Sequence, residues 1–134
     1  MADYRKNEKE LRYYASDLNK FIGTECDRNH TTNNVDCIQR RLQPNGETRI
    51  RFIESKHSNE SMPPTQLATL MCLVEIANIV NEANRKIKVQ VVMVAGDHPY
   101  ESSVVHNLIT DKEHTLNREQ LKAFLEFRYN PFAP

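Results

Sequence analysis

Apolar residues in the first part of the chain recur at helical spacing. Leu11, Tyr14, Ala15, Leu18 and Ile22 lie three and four apart, so residues 7–22 are predicted to form an amphipathic helix with Gly23 as its C-cap. Residues 24–34 lose that period and fill with Thr, Asn and Asp, which suits a loop or an irregular edge strand. Residues 35–42 and 49–56 are strand-like, and Gln43-Pro44-Asn45-Gly46-Glu47 between them carries Pro followed by Asn-Gly, a strong tight-turn signal. A β-hairpin is expected there.

After a polar break at Ser58-Asn59-Glu60-Ser61, Pro63 and Pro64 fit only the start of a helix, because proline lacks the amide that interior turns donate. The helix is expected to run to about Asn81. Its segment QLATLMCLVEIANIV is apolar round most of its circumference, which predicts cover by the sheet on one side and another element on the other. Residues 87–95, IKVQVVMVA, are rich in β-branched side chains and nearly continuously apolar, as in a central strand buried on both faces, and Gly96-Asp97-His98-Pro99 ends them. Residues 103–110, with Val104, Val105, Leu108 and Ile109, predict a further strand. Asn117-Arg118-Glu119-Gln120 reads as a capping box opening a last helix, with Leu121, Phe124, Leu125 and Arg128 on one side. The order helix, hairpin, helix, strand, strand, helix predicts an α/β fold, a mixed β-sheet flanked by helices in a single domain spanning 1–134.

Composition narrows the function classes. No apolar run approaches the roughly 20 residues that cross a bilayer, so no membrane partner is expected. The opening MADYRKNEKE lacks the apolar centre of a secretory signal, which predicts a cytoplasmic protein. Cys26, Cys37 and Cys72 cannot all pair within one chain; all are read as reduced, Cys37 and Cys72 as small hydrophobes in apolar stretches. Lys plus Arg and Asp plus Glu are 18 each, so the whole chain exerts no long-range pull on a polyanion. Locally the balance differs: between Ile38 and His57, Arg40, Arg41, Arg49, Arg51 and Lys56 outnumber Glu47 and Glu54, which predicts a small basic patch.

Candidate chemistry lies on the hairpin. Alternate side chains of a strand share a face, so Ile50, Phe52, Glu54 and Lys56 point one way, the first two to pack and the last two to present a carboxylate and an ammonium. Asp36 lies about ten residues before the Asn45-Gly46 turn and Glu54 about eight after it, so the hairpin is able to set the two carboxylates side by side. Such a pair repels unless a cation neutralises it, and hard oxygen ligands suit Mg²⁺ or Mn²⁺. Lys56 would then stand where it stabilises the water nucleophile that such a cation activates, which is phosphodiester hydrolysis chemistry.

These residues resemble the restriction-endonuclease-like, or PD-(D/E)xK, nucleases, which include type II restriction enzymes, Holliday-junction resolvases and some homing endonucleases. The matching pieces are Asn34-Val35-Asp36 opening one strand, Phe52-Ile53-Glu54-Ser55-Lys56 closing the next, and the helix after it, within residues 8–95. The resemblance implies a restriction-endonuclease-like core, Asp36 and Glu54 as metal ligands for Mg²⁺ or Mn²⁺, and Lys56 as the catalytic lysine. It also implies a further acidic residue on the first helix, best matched by Glu10 with Glu8 as fallback, and a site-facing glutamine on the helix after the Glu-x-Lys strand, matched by Gln66. Val35 stands where proline is usual in the family. The implied activity is a metal-dependent endonuclease on duplex or branched DNA, acting as a homodimer, such as a virus or mobile element would also encode.

Other chemistries find less support. Cys26, His30, Cys37 and His57 lack the paired spacing of zinc ligands, and His98 and His106 read as surface residues flanking a loop. No Gly-rich phosphate loop and no Gly-x-Ser-x-Gly elbow occur, which removes nucleotide hydrolysis and esterase chemistry. The alternative to an enzyme is a non-catalytic protein- or nucleic-acid-binding module of nuclease-like fold, binding through Leu121, Phe124 and Leu125 or through a strand edge.

Overall fold

The computed structural model describes residues 18, 20–27, 29 and 35–133. The chain groups into two compact units, Met1–Asn33 and Asn34–Pro134. In the first, residues 20–25 are helical and Cys26 donates its amide to the Ile22 carbonyl at 3.3 Å, so the helix passes through Gly23 instead of being capped there. Most of the expected 7–22 helix, with Glu8 and Glu10, lies outside the described residues.

The second unit is a five-stranded mixed sheet with a helix on each face. Strands β1 (Cys37–Leu42), β2 (Thr48–Lys56), β3 (Ile87–Gly96), β4 (Ser102–Asn107) and β5 (Lys112–Asn117) lie side by side in chain order. Only β2 and β3 are parallel; the other neighbours are antiparallel. Helix α1 (Pro64–Ala83) makes the crossover from β2 to β3, and α2 (Arg118–Leu125) follows β5. The β1–β2 turn is the expected one: Gly46 has φ +85°, where a Cβ would be strained, and Gln43 and Glu47 close the hairpin through a 2.7 Å backbone bond.

Alternation along the strands divides the core in two. Val89 and Val91 of β3 pack with Ile50 and Phe52 of β2 against Leu70, Val74 and Ala77 of α1. Ile53, Val92, Val94, Val105 and Leu116 pack from the opposite face against Leu121 and Phe124 of α2. Strand β3 is thus buried on both sides, as its apolar run demands. Beyond the end of β4, where β3 has an open edge, the Asn81 amide takes the place of a strand: it accepts from the Val89 amide at 2.7 Å and donates to the Val89 carbonyl at 2.9 Å.

Four expectations are corrected. The segment expected as one strand over 103–110 turns after Asn107, and a fifth strand, β5, follows it. Among the described residues, helix α1 is covered on one side only, since Leu67, Met71, Ile76 and Ile79 are exposed. Cys37 and Cys72 are exposed as well, so neither thiol fills the core, though all three cysteines are free. Leu121 and Phe124 are buried with Leu125 packed against them, so that face of α2 is part of the core. The Asn117–Gln120 capping box is present as expected, with reciprocal bonds of 2.8 and 2.9 Å.

Candidate functional site

Glu54 lies near the end of β2 on the α1 face, and although it is charged it is only 3% exposed. Its burial follows from its neighbours: Ile50 and Phe52, four and two residues earlier on the same face, pack into the α1 cluster and draw the strand end under the start of the helix. The register Cys37↔Ile53 continues by one step to set Asp36 opposite Glu54. Asp36 is fixed there by Oδ2, which accepts from the Ser55 amide at 2.9 Å. Lys56 Nζ stands 3.7 Å from Glu54 Oε1, largely buried itself, and the Gln66 side-chain amide donates to the same oxygen from the first turns of α1.

Electrostatics at Glu54 are set by competing effects. Burial pushes its pKa up, and the Asp36 carboxylate pushes it further the same way; the Lys56 ammonium, the Gln66 amide and the Asp36 backbone amide oppose them, and the net shift is upward. Glu54 Oε2 is enclosed and closes no hydrogen bond. A buried carboxylate oxygen without a partner is costly in a folded chain, and it is the atom that a cation would satisfy. Among the described residues no group of three or more His, Cys, Asp or Glu side chains converges as a metal cage, so the hard-oxygen set here is the Asp36–Glu54 pair.

Asp36, Glu54, Lys56 and Gln66 are therefore brought together, while Glu10 lies outside the described residues. The basic patch is only partly a surface: Arg40, Arg41 and Arg49 are exposed, but Arg51 is buried on the opposite face of β2 from Glu54. One cluster at this end of the sheet has no motif to announce it. Asp97, just past β3, accepts from the Ser58 hydroxyl and, at 3.3 Å, from the Ser58 amide, and its Oδ1 lies 3.1 Å from His57 Nδ1. The Ser58 hydroxyl first, then its amide and His57, hold the Asp97 carboxyl below the usual carboxylate range. The parallel pairing of Lys56 with Ala95 is what carries residues 57 and 97 to the same place, a relation across about forty residues of chain that no local pattern encodes. His106 lies within β4, half-buried, 2.7 Å from Asp111 and 3.6 Å from Glu113.

No protein-family model, curated protein or solved structure matches the chain. No helix among the described residues is long and apolar enough to cross a membrane.

Proposed function

We propose that this protein is a metal-dependent endonuclease of the restriction-endonuclease-like, PD-(D/E)xK kind that hydrolyses phosphodiester bonds in DNA. The observation that carries the reading is the buried Glu54 carboxylate, flanked by Lys56 and Gln66 and opposite Asp36, with Oε2 unpartnered. Mg²⁺ takes one or two carboxylates and keeps several waters, so the Asp36–Glu54 pair is a sufficient donor set for Mg²⁺ or Mn²⁺. A cation held there supplies a Lewis acid beside the scissile phosphate and lowers the pKa of the attacking water.

The protein's own groups have separable tasks. Gln66 occupies Glu54 Oε1 and so leaves Oε2 as the free ligand oxygen. The Ser55 amide fixes Asp36, so the second carboxylate needs no rearrangement to join it. Lys56, close to Glu54 but not bonded tightly to it, is placed to offset negative charge that develops on the phosphate during attack. One site per chain against two strands in a duplex makes a homodimer the expected working form, and sedimentation at twice the single-chain mass would support it.

The deciding experiment is cleavage of linear, branched and single-stranded DNA with Mg²⁺ or Mn²⁺, comparing wild type with Lys56→Ala and Glu54→Gln after circular dichroism has shown both variants folded. Loss of rate by several orders of magnitude in each variant is expected, because each removes a group acting on the reacting phosphate or its cation. Equal cleavage by all three, or no cleavage of any substrate by wild type, would overturn the enzymatic reading.

A further inference from the structure

The other end of the sheet carries charge of one sign. Strand register sets Arg41 opposite Arg49 and Arg49 opposite Lys88, so three cations on three adjacent strands form one row roughly 10 Å wide. Like charges directly opposed across strands destabilise a sheet. Glu47 meets one of them, pairing with Arg49 at 3.0 Å.

The next row inward is Gln39–Arg51–Gln90, and it holds a second anomaly. Arg51 is only 3% exposed yet has no carboxylate partner among the described residues. Its Nε donates to Gln90 at 3.0 Å, and Nη1 donates to Gln39 at 3.1 Å and to the Phe124 carbonyl at 2.8 Å. The guanidinium lies 3.9 Å from the Phe124 ring centroid and 4.2 Å from that of Phe127. None of these bonds uses Nη2. Burial, and then Arg49, lower the Arg51 pKa to about 10, which leaves it charged at neutral pH.

The β2 and β3 members of both rows line a cleft of about 400 Å³, where Arg49, Arg51, Lys88 and Arg128 stand with Gln90 and the carboxylate of Glu47, while Arg41 and Gln39 lie outside it. Its size falls in the range of about 300–1,000 Å³ that small-ligand pockets occupy. Arg128 at its mouth pairs with Glu126 at 2.7 Å, an exposed pair that an incoming anion readily replaces. Roughly 17 Å of strand separates Arg49 from Glu54, and the two side chains leave opposite faces of β2, so the cleft is distinct from the candidate catalytic site.

We propose that this cleft binds a ligand carrying two adjacent phosphoryl groups. Arg51 forms the floor, where a planar guanidinium with free Nη2 donors suits oxyanion recognition, and Arg49, Lys88 and Arg128 hold the mouth. Four cations line the cleft against the single carboxylate of Glu47, a surplus of three that one phosphate does not neutralise and two adjacent phosphoryl groups do. The same chemistry is offered by a free diphosphate and by consecutive phosphates of a nucleic-acid strand.

The test is isothermal titration in EDTA with inorganic pyrophosphate and, separately, with a short single-stranded oligonucleotide. Saturable binding of either is expected, weakened roughly tenfold or more by Arg49→Gln combined with Lys88→Gln, and likewise by Arg128→Gln, all at exposed or partly exposed positions. Lys112→Gln, an exposed change on β5 outside the cleft, should bind as wild type does. Tighter binding of pyrophosphate identifies a free diphosphate as the source, and tighter binding of the oligonucleotide identifies a strand. No saturable binding of either up to about 10 mM, binding unchanged in the cleft variants, or binding weakened as much by Lys112→Gln as by the cleft variants would each overturn the proposal. Because no divalent cation is present, these outcomes are independent of whether the protein cleaves DNA.

Discussion

Ionised Glu54 is buried beside a second carboxylate, and that arrangement costs the folded chain stability whenever no cation is bound. Its folded pKa is raised, so between the ordinary carboxylate range and that raised value the folded protein holds a proton which the unfolded chain has released. Stability therefore falls as pH rises through this window and stays reduced above it. Glu54→Gln keeps the shape and the acceptor for Gln66 while removing the charge. Urea melts in EDTA at about pH 8 should show the variant more stable than wild type, with the gap closing as pH falls below the ordinary carboxylate range. A variant less stable at every pH would mean that Lys56 more than compensates the buried charge. Glu54 and Lys56 were legible in the sequence because strand alternation fixes which residues share the face of Ile50 and Phe52. Arg51 was counted as part of a surface patch because its partners lie 12, 39 and 73 residues away, beyond any periodic signal.

At the scale of elements, α1 shows where an apolar pattern stops being informative. Its buried residues Leu70, Val74 and Ala77 make one stripe against β3, and Ile76 and Ile79 point away from it, exposed like Leu67 and Met71. Hydrophobicity told that the segment was helical and packed, but a helix apolar on all sides has no polar face to say which side is free. Leu70→Ala should cost about 2–5 kcal/mol, while Ile76→Lys combined with Ile79→Lys should stay near wild type, within about 1 kcal/mol. Thermal and urea unfolding of the two variants read this out; equal destabilisation would indicate that the outer face is covered. The β5 segment KEHTLN escaped notice for the reverse reason, since Leu116 is its single buried residue and the rest is exposed and polar, as an edge strand tolerates. Proline position and Asn-Gly chemistry, by contrast, act through the backbone locally, and they located the start of α1 and the β1–β2 turn within a residue or two.

For the whole molecule, 18 positive and 18 negative side chains cancel in number without cancelling in space. A carboxylate pair marks one end of β2 and a row of cations the other, a segregation invisible to net charge because it depends on which strands become neighbours. Cation binding at Asp36 and Glu54 should be felt globally: a ligand that binds only the folded state at a hundred times its Kd adds about 2.7 kcal/mol. Mg²⁺ should accordingly raise the melting temperature of wild type and leave Glu54→Gln nearly unmoved; an equal rise in both would place the cation elsewhere. The Arg51 bonds also bear on the order of events in folding. Gln39, Arg51, Gln90 and the Phe124 carbonyl join β1, β2, β3 and the end of α2, so the set is incomplete until nearly the whole sheet and its second helix have assembled. Contacts made after the transition state slow unfolding and leave refolding almost untouched. In stopped-flow measurements Gln39→Ala should steepen no folding limb but raise the unfolding rate, so that this rung acts as a latch governing how long a folded molecule lasts.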